Sequence, residues 1–240
     1  MAKEDNQKAN NSALGFEVTL LTTSEGTTLK AETAELLNKD LELQELIKLA
    51  TLTFRTLRSD FDYAVSQWCA DRESQFWART SIRCLCVAIE ATLFTFRKMA
   101  EQLATLNKVQ FSQKEIEILT EKRIVKENGV ETTRPNFLPI QVSVIKSFRL
   151  FAKSFGVKIL IQQDRGFVAL LATFDVRNRL MHPKNVVSLE VRESDLRTAD
   201  EAMAWFNKIQ TEVVAQCKVQ IGARGVEQQN QIKRQPTIIS

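Results

Sequence analysis

Histidine is almost missing from this chain: 240 residues contain one, His182. The cysteines are few as well, and Cys69, Cys84, Cys86 and Cys217 form no CxxC pair. A Cys/His metal site would have to gather cysteines distant in sequence around a single imidazole, so neither a metal nor another cofactor is expected. Cys84 and Cys86 fall inside a helical apolar pattern, and all four cysteines read as reduced core thiols. Seven Gly and four Pro are too few for a collagen-like or low-complexity chain. No window approaches eighteen uncharged apolar residues, and the opening MAKEDNQKANNSALG lacks the basic-then-apolar order of a secretory signal. The expectation is a cytoplasmic protein with no membrane partner. Positive charge is in small excess, 33 Lys and Arg against 29 Asp and Glu, a formal +4. That balance permits a nucleic-acid partner without demanding one.

What the chain does have is apolar residues at helical spacing. With 44% hydrophobic residues and fourteen Phe it can build a sizeable core. Residues 1–30 are rich in Ser, Thr, Asn, Lys and Glu and read as a flexible arm. From Leu43 through Phe54, Phe61 and Trp68 the apolar steps of one, three or four mark an amphipathic helix, with a break expected near Ser59-Asp60. Ile82, Leu85, Ile89, Leu93, Phe96, Ala100 and Leu103 mark a second long helix that should pack against the first. Residues 111–139 read as an insertion: Ser112-Gln113-Lys114-Glu115 fits a capping box, and Asn128-Gly129 between β-branched residues fits a tight hairpin turn. Ile140 to Phe155 resumes a helix that Gly156 closes. Asp164 should cap the next one, which Pro183 must end. An extended stretch is expected from Val186 to Val191, then a last helix opened by Ser194. The Gln-rich basic tail from about 221 to 240 should be flexible. The fold class is therefore all-α, a bundle of about five main helices over 31–220 with a small hairpin-containing insertion.

The informative stretch is Phe174-Asp175-Val176-Arg177-Asn178-Arg179-Leu180-Met181-His182-Pro183. Five positions on a continuous helix separate Arg177 and His182 by about 140° of rotation, so the two converge only if the helix stops near His182. Pro183 supplies the stop. A fixed cation then lies beside the only side chain of the chain that ordinarily titrates near neutral pH, which suits phosphate chemistry.

Arg177-Asn178-x-x-x-His182 resembles the R-x(4–6)-H motif, with its polar residue after the Arg, of the HEPN superfamily (higher eukaryotes and prokaryotes nucleotide-binding). The order of two long helices, a variable insertion, a third helix, the motif helix and a last helix is similar too, and the likeness covers about Glu32 to Lys218. The resemblance implies a helical bundle and a metal-independent endoribonuclease, a toxin or antiviral-defence effector. In such proteins the active cleft forms where two subunits bring their Arg and His residues together. RNA, a second copy of the chain, and an antitoxin or regulatory protein would be its partners. On that reading His182 is acid or base, Arg177 clamps phosphate and Asn178 assists. A dimer also follows from the chemistry of the one histidine: cleavage through the 2′-hydroxyl needs both a base and an acid, and a two-fold dimer supplies two imidazoles.

Further candidates surround the motif. Arg179 and Lys184 flank it and are placed to grip substrate phosphates, although Asp175 offers Arg179 an ordinary helix ion pair. Arg79, Arg83, Glu90 and Arg97 lie beside the apolar stripe of the second long helix, on a side that faces the same cleft or else solvent. Trp68, Trp77 and Trp205 sit among aliphatic residues and read as core. The rival to the ribonuclease is a non-catalytic helical module that binds a nucleotide or a protein through the same dimer surface.

Overall fold

The computed structural model describes residues 31–127 and 130–234. They form six α-helices and one two-stranded hairpin: α1 (Ala31–Ala70), α2 (Gln75–Leu106), α3 (Gln113–Thr120), β1 (Lys122–Glu127), β2 (Val130–Pro135), α4 (Ile140–Ser154), α5 (Arg165–Met181) and α6 (Glu193–Arg234). A single 3₁₀ turn, Val186–Leu189, joins α5 to α6. The architecture is all-α apart from the small hairpin, as its apolar spacing requires. The arm expected over residues 1–30 lies outside the described residues.

α1 runs through Ser59-Asp60 without the expected break. It contains no Gly or Pro, both residues are exposed, and the Arg58 guanidinium donates to Asp62 across that point at 2.9 Å. Four residues connect it to α2, and the two helices pack along their lengths as expected. α2 is the central element. Ala78, Ile82, Leu85, Cys86, Ile89, Leu93, Phe96, Ala100 and Leu103 are buried on it, while between Phe76 and Phe94 only Phe76, Arg83, Val87, Glu90 and Phe94 are exposed, one narrow stripe at helical spacing.

Aromatic edges lock α2 to its neighbours. Phe96 meets Phe148 and Phe151 of α4 edge-on, with ring centroids 5.1 and 4.6 Å apart, and Phe148 in turn meets Phe206 of α6 at 5.6 Å. Phe148 is completely buried, so its loss to Ala would cost about 3–5 kcal/mol. At the start of α5 a Cβ on Gly166 would lie 2.5 Å from the Trp205 Cβ of α6, so the close approach of these helices admits only glycine there.

The insertion is bolted on by one buried cation. Arg97, 3% exposed, donates to the hydroxyls of Ser143 and Ser147 on α4 at 3.0 and 2.8 Å and to the Glu121 carboxylate at the foot of β1 at 2.5 Å. Burial pushes its guanidinium down from the usual arginine range and Glu121 opposes that shift. Arg97 is thus a strut of the insertion. Ser112 and Glu115 cap α3 as the sequence predicts, with the Ser112 amide donating to Glu115 Oε2 at 2.8 Å. β1 and β2 pair antiparallel from Lys122↔Pro135 to Glu127↔Val130, which leaves Asn128 and Gly129 as the two-residue connection, itself outside the described residues.

Two expectations near the site change. Val186–Leu189 is a 3₁₀ turn rather than an extended strand, because Asn185 Oδ1 accepts from the Ser188 amide at 2.9 Å, a local cap that outweighs the β-branched preference of the two valines. α6 starts at Glu193, not at Ser194, with the Arg192 amide donating to Asp195 Oδ2 at 3.0 Å. It then continues through Gly222 to Arg234, past the expected boundary at 220, with no proline before Pro236 to stop it.

Candidate active site at the end of the fifth helix

α5 begins where Asp164 Oδ1 accepts from the Gly166 and Phe167 amides, the predicted cap. Its apolar face, Phe167, Leu170, Phe174 and Leu180, is buried, which fixes the rotation of the helix and brings Arg177 to the seam with α2. The helix ends at Met181, two residues before Pro183. His182 has left the helical region, with φ −129° and ψ 62°, yet its amide still donates to Asn178 O at 3.0 Å, the last helical bond. The sequence predicted this stop, and it leaves the His182 residue exposed.

Arg177 is held from two sides. One Nη donates to Asn178 Oδ1 at 2.9 Å; the other donates to Glu90 Oε1 of α2 in an ion pair. The Phe174 ring lies 5.6 Å from the guanidinium carbon, one turn back on the same helix. An arginine has five N–H donors, so three remain for a ligand, and the side chain stays 26% exposed. Beneath the pair, burial pushes the Cys86 thiol up to about 12, with Arg177 opposing that shift and Glu90 adding to it. Fully buried one turn before Glu90 on α2, Cys86 is a core thiol.

The structure therefore brings together Arg177, Asn178 and Glu90. It does not bring Arg177 into contact with His182, whose imidazole has no hydrogen-bond or ion-pair partner among the described residues. Lys184 is exposed and likewise without a partner among them.

Three arginines expected to touch substrate are engaged with backbone. Arg179 bypasses Asp175: one Nη donates to Ser188 O at 3.0 Å and Glu190 O at 2.6 Å, and the other to Asp195 Oδ2 at 3.2 Å. Two positions beyond Arg177 on a helix, it points some 200° away, toward the 3₁₀ turn. Arg79 donates to Leu189 O and Arg83 to Leu180 O, each at 3.3 Å. Gln75, which drew no notice in the sequence, brackets Val191 by donating to its carbonyl at 3.0 Å and accepting from its amide at 2.8 Å. Together these side chains tie down both ends of the loop that carries His182 and Lys184. Nothing in their spacing announced it, since a carbonyl acceptor leaves no mark on a sequence.

Around Arg177 and His182 the surface is partly apolar. Val87 and Phe94 on α2, Met181 on α5 and Val186 beyond it are 45, 46, 54 and 84% exposed. Among the described residues no group of three or more His, Cys, Asp or Glu is placed to hold a metal ion, and no helix is long and apolar enough to cross a membrane. No protein-family model, no curated protein and no solved structure matches the chain.

Proposed function

We propose that this protein is a HEPN-like endoribonuclease that cleaves RNA through its own 2′-hydroxyl, without a metal, at a cleft shared by two copies of the chain. The observation that carries the reading is the end of α5. A guanidinium anchored with three donors to spare and an exposed imidazole without a partner among the described residues stand five positions apart on the same helix terminus. Imidazole moves protons near neutral pH and a planar guanidinium grips two phosphate oxygens, the two capacities that phosphodiester cleavage asks for.

In the reaction the 2′-oxygen attacks the adjacent phosphorus and the bond from phosphorus to the 5′-oxygen breaks. One imidazole takes the 2′-hydroxyl proton and a second gives a proton to the leaving oxygen. Arg177 bears the charge that develops on the phosphate. Each chain has a single His, so the second imidazole comes from the partner copy, and Val87, Phe94 and Met181 supply apolar area for that contact.

The chemistry is tested by its products. RNA fragments should carry 2′,3′-cyclic phosphate and 5′-hydroxyl ends, and DNA or 2′-O-methyl RNA should be inert. Cleavage of either inert substrate would rule out the 2′-hydroxyl route. A parent protein that cuts neither RNA nor DNA would leave the other reading, a non-catalytic module that binds a nucleotide or protein through this surface.

A further inference from the structure

A long flexible side chain is a poor phosphate clamp unless something holds it. Arginine carries about 2 kcal/mol of rotamer entropy, and an arginine that wanders must be ordered afresh at each turnover. Arg177 does not stand alone. Its two Nη atoms are occupied in different directions, one by the neighbouring Asn178 amide oxygen and one by a carboxylate on another helix. Glu90 belongs to the central, mostly buried α2, so the point to which it ties Arg177 is fixed by the core. Asn178 by contrast is the next residue of the same helix and gives Arg177 no anchor outside α5. The buried Cys86, one turn before Glu90, and the fully packed Leu85 and Ile89 seat the backbone from which that carboxylate projects.

We infer that Glu90 is a positioning residue: its carboxylate sets the direction of the Arg177 guanidinium across the seam of α2 and α5, so that the three remaining N–H donors face an arriving phosphodiester. The inference rests on the ribonuclease reading, and it changes the role first expected for Glu90, from a substrate contact to a holder of the residue that makes the contact. A carboxylate has no attraction for phosphate. Beside an arginine it gives orientation at the cost of some positive charge, so its removal should act on turnover more than on binding.

Two variants and two readouts test this on the full chain. Glu90→Ala removes the acceptor, whereas Glu90→Gln keeps an oxygen to accept from the guanidinium. With RNA as substrate, Glu90→Ala should lower kcat by roughly 10- to 100-fold with KM within about 3-fold, the mark of an interaction that matters in the transition state, and Glu90→Gln should recover most of that loss. The second readout needs no catalysis. The Arg177 Nε–Hε group should give an order parameter near that of rigid backbone in the parent protein and below about 0.6 in Glu90→Ala. Unchanged order of Arg177 in Glu90→Ala overturns the inference, as does a kcat equal to the parent's. Arg177 loosened in a protein whose parent form cuts no RNA would keep Glu90 as the holder and overturn the ribonuclease reading instead.

Discussion

Glu90 and Arg177, 87 positions apart in sequence, meet side chain to side chain where the exposed stripe of α2 runs beside the last turn of α5. The contact joins the guanidinium of the motif arginine to the central helix. A lysine at 177 would keep the charge, but its compact ammonium has no planar fork with which to satisfy Glu90 and Asn178 and still grip two phosphate oxygens. Arg177→Lys should therefore lose activity nearly as fully as Arg177→Ala, by roughly 10²–10³-fold in kcat/KM. Steady-state cleavage rates check this, and a lysine variant within a few-fold of the parent would show that charge alone suffices.

Arg179 follows the motif arginine by two positions and Lys184 follows the motif histidine by two, and they differ in the structure. Arg179 spends its donors on Ser188 O, Glu190 O and Asp195, while Lys184 is exposed and unpartnered among the described residues. Arg179→Ala should take the side-chain donor from two carbonyls, leave the Asp195 carboxylate with the Arg192 amide, and lower stability by about 1–3 kcal/mol, read by urea denaturation. Lys184→Ala should leave stability within about 0.5 kcal/mol. It should instead weaken RNA binding and reduce the salt dependence of log K by about one unit. The reverse assignment of the two effects would contradict the placement of both side chains.

Much of this layout was legible in the sequence because it follows from local rules. Apolar spacing gave the long helices, Asp164 and Pro183 gave the two ends of α5, and Ser112 with Glu115 gave the start of α3. The failures are equally physical. Ser59-Asp60 read as a break, but polar residues on an exposed face do not stop a helix that has no Gly or Pro and an ion pair across the point. Val186–Val191 read as extended from its β-branched residues, and one asparagine cap overruled them. At the site, residue types marked Arg177, Asn178 and His182, whereas the partners of Arg79, Arg83 and Arg179 are backbone carbonyls brought near by tertiary folding. Glu90 was picked out only by its place beside the apolar stripe; its contact with Arg177 depends on how α2 and α5 cross.

Two buried thiols make stability depend on pH on the alkaline side. Burial pushes Cys86 up to about 12 and Cys217 up to about 11, from an ordinary value of 9.0. The folded state then holds these protons more tightly than the unfolded chain. Their contribution is fully present below pH 9 and is lost as pH rises from 9 toward 11 and 12. Urea midpoints should fall across that window, and less steeply in Cys86→Ala. Cys69, expected in the core, is exposed near the C-terminal end of α1, so in the native protein at pH 8 alkylation should reach it and spare Cys86 and Cys217 until the chain is unfolded. Equal labelling of all three in the folded protein would contradict the burial of the two core thiols.

The central claim is that His182 transfers protons in RNA cleavage, and the most direct measurement compares the parent protein with His182→Ala on the same RNA in EDTA. His182 is exposed, follows the last helical turn and has no side-chain partner among the described residues, so its removal should leave the fold intact. The account predicts that the parent cuts RNA in the chelator and that His182→Ala is slower by roughly 10²–10⁴-fold with an unchanged urea midpoint. Equal cleavage by the two proteins, or cleavage by the parent only after a divalent metal is restored, would contradict it.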